Sequence, residues 1–182
     1  TQKLSINGEI TDAFYYIGSI RCDQQSYDEA IDFYKRGLKI VEEQSPLKYT
    51  SIAAMRYHIG STYYKQRKFD EALRFLESAL DYFEKYSPEE HSFIDTVLHE
   101  IALAWNQKRD YNRATEYLLK RVKIMERSLA SNDPGIAIRI VYAAQLQRNR
   151  ANYQLSLIYE LKCLSLREEI FSPDDIRIGE TL

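Results

Sequence analysis

The sequence predicts an all-α protein built as a solenoid of helix-turn-helix repeats, 42 residues each, and three observations carry that prediction. The first is a returning tetrapeptide: YDEA at 27–30, FDEA at 69–72, YNRA at 111–114 and YQLS at 153–156. The second is that whole columns keep the same period without a gap. Ile10, Ile52, Ile94, Ile136 and Ile178 stand 42 residues apart, as do Leu38, Leu80, Val122 and Leu164. A fixed period of this length is the mark of stacked supersecondary units. The third is the spacing inside a unit, where apolar residues recur at steps of three and four, the period of a helix rather than of a strand.

Four complete units follow, at 10–51, 52–93, 94–135 and 136–177, with 178–182 opening a fifth. In the second unit Ile52, Met55, Ile59 and Tyr63 mark the first helix. After the polar break KQRK, residues Phe69, Ala72, Leu73, Leu76, Leu80 and Phe83 mark the second. Each first helix carries a small residue near its middle (Gly18, Gly60, Ala102, Ala144), and each second helix carries one near its start (Ala30, Ala72, Ala114, Ser156). Two backbones that cross closely require this, because a larger side chain would push them apart. Pro46, Pro88, Pro134 and Pro173 all fall in the last stretch of their units, where no helical hydrogen bond is lost, so these stretches are linkers. Ser92 followed by Asp95 forms a capping pattern that predicts a helix start close to residue 93. Residues 1–9 align with a linker, and the chain is expected to be a piece of a longer array. Arg121 stands in the column of Gly37, Ala79 and Cys163, where its long side chain is expected to snorkel outward.

Composition narrows the function classes. The 182 residues are 45% hydrophobic and 29% charged, a globular balance. No run of about 18 apolar residues predicts a membrane span, and the N-terminus lacks the layout of a signal peptide, so the expected compartment is the cytoplasm. A net charge of −2 argues against nucleic acid and anionic membranes as partners, since both demand a strong basic surface. Cys22 and Cys163 have no metal-like spacing, and His58, His91 and His99 offer no i, i+4 pair, so neither a metal nor any other cofactor is expected. Phosphate-cradling glycine loops and nucleophile elbows are absent, and the chain is not expected to be an enzyme.

A small residue in the first helix, an aromatic-x-x-Ala opening the second and a large apolar residue beyond it resemble the tetratricopeptide repeat, TPR. The usual repeat is shorter, and the extra residues fit a longer second helix and a Pro-bearing linker, as in the 42-residue variant of kinesin light chains. The linker SNDPGIA is the most similar stretch. Where that family carries an Asn pair ahead of the small residue, this chain has Tyr15 and Tyr16, Tyr57 and His58, His99 and Glu100, then Val141 and Tyr142. Some bacterial peptide-sensing regulators are built from similar long repeats. The resemblance implies a right-handed α-α superhelix.

Stacked helix pairs leave one concave side lined by first helices, a surface suited to an extended peptide or a partner helix. On the TPR alignment the residues expected to bind a ligand there are Tyr15 and Ser19 from the first unit and Tyr57, Ser61, Tyr64 and Lys65 from the second. His99, Asn106 and Gln107 follow in the third, and Gln145, Arg148 and Asn149 in the fourth. Tyrosines provide apolar area with a polar tip, although half-buried packing against the next unit explains them equally well. The amides can hold peptide backbone. The expected function is a protein-protein interaction scaffold that binds a peptide or linear motif in this groove. The alternative is a regulatory or spacer module acting on another domain of the same chain. The sequence leaves the oligomeric state open.

Overall fold

The computed structural model describes residues 2–44, 48–89 and 91–128. They form six helices and no strand: α1 (Gln2–Asp23), α2 (Tyr27–Glu42), α3 (Tyr49–Lys65), α4 (Phe69–Tyr86), α5 (His91–Gln107) and α6 (Tyr111–Ser128). The chain divides into two compact units, Thr1–Ala104 and Trp105–Leu182. Within the first unit α1 packs on α2, α2 on α3 and α3 on α4, as antiparallel helix pairs of a TPR-like fold.

The sequence period reappears in the backbone. Helices α2, α4 and α6 begin at Tyr27, Phe69 and Tyr111, while α1, α3 and α5 end at Asp23, Lys65 and Gln107. Each turn between paired helices closes in the same way. Gln25, Arg67 and Arg109 take left-handed φ values of 61°, 62° and 62°. The next amide then reaches back to the last turn of the helix, Ser26 to the Arg21 carbonyl, Lys68 to Tyr63 and Asp110 to Trp105. This is the Schellman closure, which satisfies carbonyls that the helix end leaves over. Glycine is the usual occupant of its left-handed position, yet none of these three is glycine.

The small-residue columns sit where the helices cross. A Cβ built on Gly60 would lie 2.8 Å from Cγ of Leu76 and 3.1 Å from the Ala72 carbonyl oxygen; one on Gly18 would lie 2.6 Å from the Tyr34 ring. Helix α4 buries one stripe, Ala72, Leu73, Leu76, Ala79, Leu80 and Phe83. Ile31, Tyr34, Leu38 and Val41 of α2 join Ile52, Met55 and Ile59 of α3 in a shared core. Arg56 ties three helices together from its half-buried place on α3. It donates to Ser78 and to Glu42 (2.9 Å), and its guanidinium lies 4.6 Å from the Tyr82 ring centroid.

Three expectations need correction. Residues 2–9 are not linker but the opening turns of α1. Helix α5 starts at His91, ahead of the capping pattern, and Ser92 acts inside the helix, its carbonyl accepting from the Thr96 hydroxyl at 2.9 Å. Arg121 does not snorkel outward; it is 7% exposed. In the second unit Asp110 caps α6, its carboxylate accepting the Arg113 amide at 3.1 Å.

Candidate functional site

The first helices of the first unit bring together two adjoining features. Thr11, Asp12 and Tyr15 of α1, Ser51, Ala54, Met55 and His58 of α3, and Phe93 of α5 line a cavity of about 250 Å³. Phe93 is 46% exposed and stacks on Phe83 of α4, centroids 5.5 Å apart. The inner wall is aromatic: His58 lies 4.8 Å from the Tyr15 ring, 5.5 Å from Tyr34 in a stacked arrangement and 5.0 Å edge-on from Tyr57. Burial, reinforced by the Lys65 charge, pushes the His58 imidazole down to about 4, so it is neutral at physiological pH. Burial chiefly raises the Tyr34 phenol, which also hydrogen-bonds Ser19.

The second feature is a carboxylate held between helices. Tyr57 and Ser61 of α3 both donate to Oε1 of Glu100 on α5, at 2.8 and 3.1 Å. The other carboxylate oxygen is buried with no hydrogen-bond partner among the described residues. Desolvation by burial therefore raises the Glu100 acid above its usual range, against the opposing effect of the two hydrogen bonds and of Lys65. Burial also raises the Tyr57 phenol, and the neighbouring Glu100 adds to it. One turn along, Lys65 Nζ donates to Cys22 Sγ at 3.3 Å, and the Thr62 hydroxyl donates to the His58 carbonyl at 2.7 Å.

The residues expected from sequence are thus distributed unevenly. Tyr15, Ser19, Tyr57, Ser61 and Lys65 take part in these two features. Tyr64 is half-buried beside Phe69, centroids 5.7 Å apart, and His99 is half-buried on α5. Asn106 and Gln107, of the third repeat, end α5 within the compact unit Trp105–Leu182, and Gln145, Arg148 and Asn149 lie outside the described residues. Sequence reasoning did not single out His58, Glu100 or Phe93 as site residues. A signal for two of them was present, since His58 and Glu100 occupy one column with Tyr16 and Tyr142, where the family carries an Asn. Among the described residues no group of three His, Cys, Asp or Glu could hold a metal ion. No described helix is long and apolar enough to cross a membrane.

Residues 9–85 match the tetratricopeptide repeat. Over those residues the chain carries tetratricopeptide repeats, and its fold is similar to that of kinesin light chain-like TPR proteins. Such modules are generally protein-protein interaction domains and typically non-catalytic. Among solved structures, BtubC (BKLC) from P. vanneervenii superposes with a TM-score of 0.75 at 16% identity, covering 96% of this chain and 70% of that one. The nearly identical TPR-like repeats of a Podosopora anserina protein described as a kinesin light chain give 0.73 at 16%, over 93% and 81%. The Rap conjugation gene regulator of plasmid pLS20, in complex with the Phr* peptide, gives 0.62 at 16%, over 84% and 41%. No curated protein matches the sequence.

Proposed function

We propose that this array is an interaction scaffold that receives an extended peptide or linear motif on the first-helix face of its first unit. The observation that carries the reading is the cavity between α1 and α3. Its walls are Tyr15, Met55, His58 and an exposed Phe93, with the Asp12 carboxylate among its lining residues. An apolar recess with a few polar groups fixes the position of one side chain of a ligand and leaves its backbone to neighbouring donors and acceptors. Ser51 and Asp12 supply these. The solved complex of a similar fold with the Phr* peptide supports a peptide as the ligand class, at 16% identity.

The test is a peptide selected from a library on the purified protein and titrated against two variants. Ala54 lines the cavity, half-buried, so Ala54→Leu fills it and is expected to weaken binding at least tenfold with an unchanged helical signal. Tyr15→Ala is expected to weaken it as well, aromatic anchors being worth about 2 kcal/mol where they are hot spots. Unchanged affinity in both variants would place the contacts on another face and remove the proposal.

A further inference from the structure

The cavity between α1 and α3 is aromatic and apolar with one acidic wall. Asp12 and His58 are the only acid and base that line it, and the His58 imidazole is uncharged at neutral pH. Asp12 is exposed and makes no hydrogen bond or ion pair among the described residues. Two ammonium groups lie near enough to compete, and neither answers it. Lys48 Nζ would come within 3.9 Å of a Cβ built on Gly8, one turn before Asp12, yet does not pair with Asp12, while Lys65 Nζ is held at Cys22 Sγ, 3.3 Å away. The adjoining feature of the same face brings a second carboxylate, Glu100, rather than a cation. The remaining walls suit a cation as well. Phe93 turns one face to Phe83, at an interplanar angle of 7°, and is 46% exposed, so its other face is free. Aromatic faces are the negative side of the ring quadrupole and attract a positive group laid over them.

We infer, on the reading of this cavity as the receiver of a peptide side chain, that it is an arginine subsite: the guanidinium of the ligand sits on the Asp12 carboxylate, with its stem and planar head against Phe93 and Tyr15. The space of about 250 Å³ is smaller than the roughly 300–1,000 Å³ of small-molecule sites and fits a single long side chain. Other occupants fit less well. An apolar side chain would take water from the Asp12 carboxylate and give it no donor in return, a desolvation cost with nothing against it. An acidic one would meet Asp12 as a like charge. A lysine carries a compact, strongly hydrated head that neither stacks on a ring nor forks onto a carboxylate, and the guanidinium does both.

The probe is Nα-acetyl-arginine methylamide, with the citrulline derivative as its uncharged counterpart of the same shape, each titrated into the whole isotopically labelled protein. The arginine derivative is expected to shift the resonances of Asp12, Tyr15, Ala54 and Phe93 and to bind about tenfold more tightly than the citrulline one, the margin of a hydrogen bond to a charged group. Asp12→Asn keeps the shape of the wall and is expected to abolish that margin. The variant should melt as the parent does, because the Asp12 carboxylate holds no other described group. No shift at these residues, equal affinity for the two derivatives, or a margin that Asp12→Asn leaves in place overturns the inference. The library-selected peptide separates this failure from that of the broader reading. Affinity lost in Ala54→Leu but kept in Asp12→Asn would retain the peptide site and overturn the arginine subsite, whereas affinity kept in both variants would remove both.

Discussion

His58 shows how far a single residue departs from its surface chemistry once the array closes around it. The imidazole sits among Tyr15, Tyr34 and Tyr57 and titrates near 4 instead of 6.5. Between these two values the unfolded chain binds a proton that the folded chain refuses, so stability falls as pH drops from 6.5 towards 4. The loss is at most about 3 kcal/mol, taking about 1.4 kcal/mol for each pH unit. His58→Phe keeps the ring stack, and its melting temperature is expected to hold between pH 7 and 4.5 where that of the parent falls. Glu100 works in the opposite direction. Its acid is raised by burial, so ionisation above the unfolded value weakens the fold. Glu100→Gln, which keeps an acceptor for Tyr57 and Ser61, is expected to exceed the parent in stability at pH 7, with the difference shrinking below pH 4. Thermal melts at pH 7 and 4.5 check the first outcome, and urea melts at pH 7 and below pH 4 the second.

At the scale of elements, two features of the helix pair make separate predictions. The first is the left-handed residue closing each turn. Arg67 holds φ at 62° with a Cβ that disfavours it. Arg67→Gly is expected to stabilise the fold by about 0.5–1 kcal/mol, the relief of strain exceeding the added entropy of the unfolded chain. The second is the crossing of α3 over α4. Gly60 faces the Ala72 carbonyl and Leu76, and Ala72 is fully buried. Ala72→Leu is therefore expected to cost about 1–3 kcal/mol through overpacking, and Gly60→Ala to destabilise as well, because the backbone oxygen opposite cannot move aside. Thermal melts that ranked Ala72→Leu with surface substitutions would show that the crossing is looser than its geometry.

Over the whole molecule, what the sequence made legible was what its period controls. Recurrence of Ile52, Ile59 and Ile94, of Gly60, and of the aromatic opening each second helix predicted paired helices, and the turns between the described pairs do recur every 42 residues, after Asp23, Lys65 and Gln107. Residues outside the period were harder to read. The helical start of α1 was missed because residues 2–9 align with linker positions in the other units. Arg121 was missed because a charge in a small-residue column gives no sign of whether it is buried. The site was legible in its columns and not in its contacts. Tyr15, Tyr57 and Ser61 follow from alignment, but the meeting of Tyr57 and Ser61 at Glu100 depends on how α3 and α5 sit side by side, which no single column records. The first-helix face is the proposed receiving surface for ligands. Chemical-shift mapping of the labelled protein with a library-selected peptide tests it most directly. The expected result is that the largest shifts fall on Asp12, Tyr15, Ala54, His58 and Phe93; shifts confined to the outer faces of α2 and α4, around Lys39 and Arg74, would contradict it.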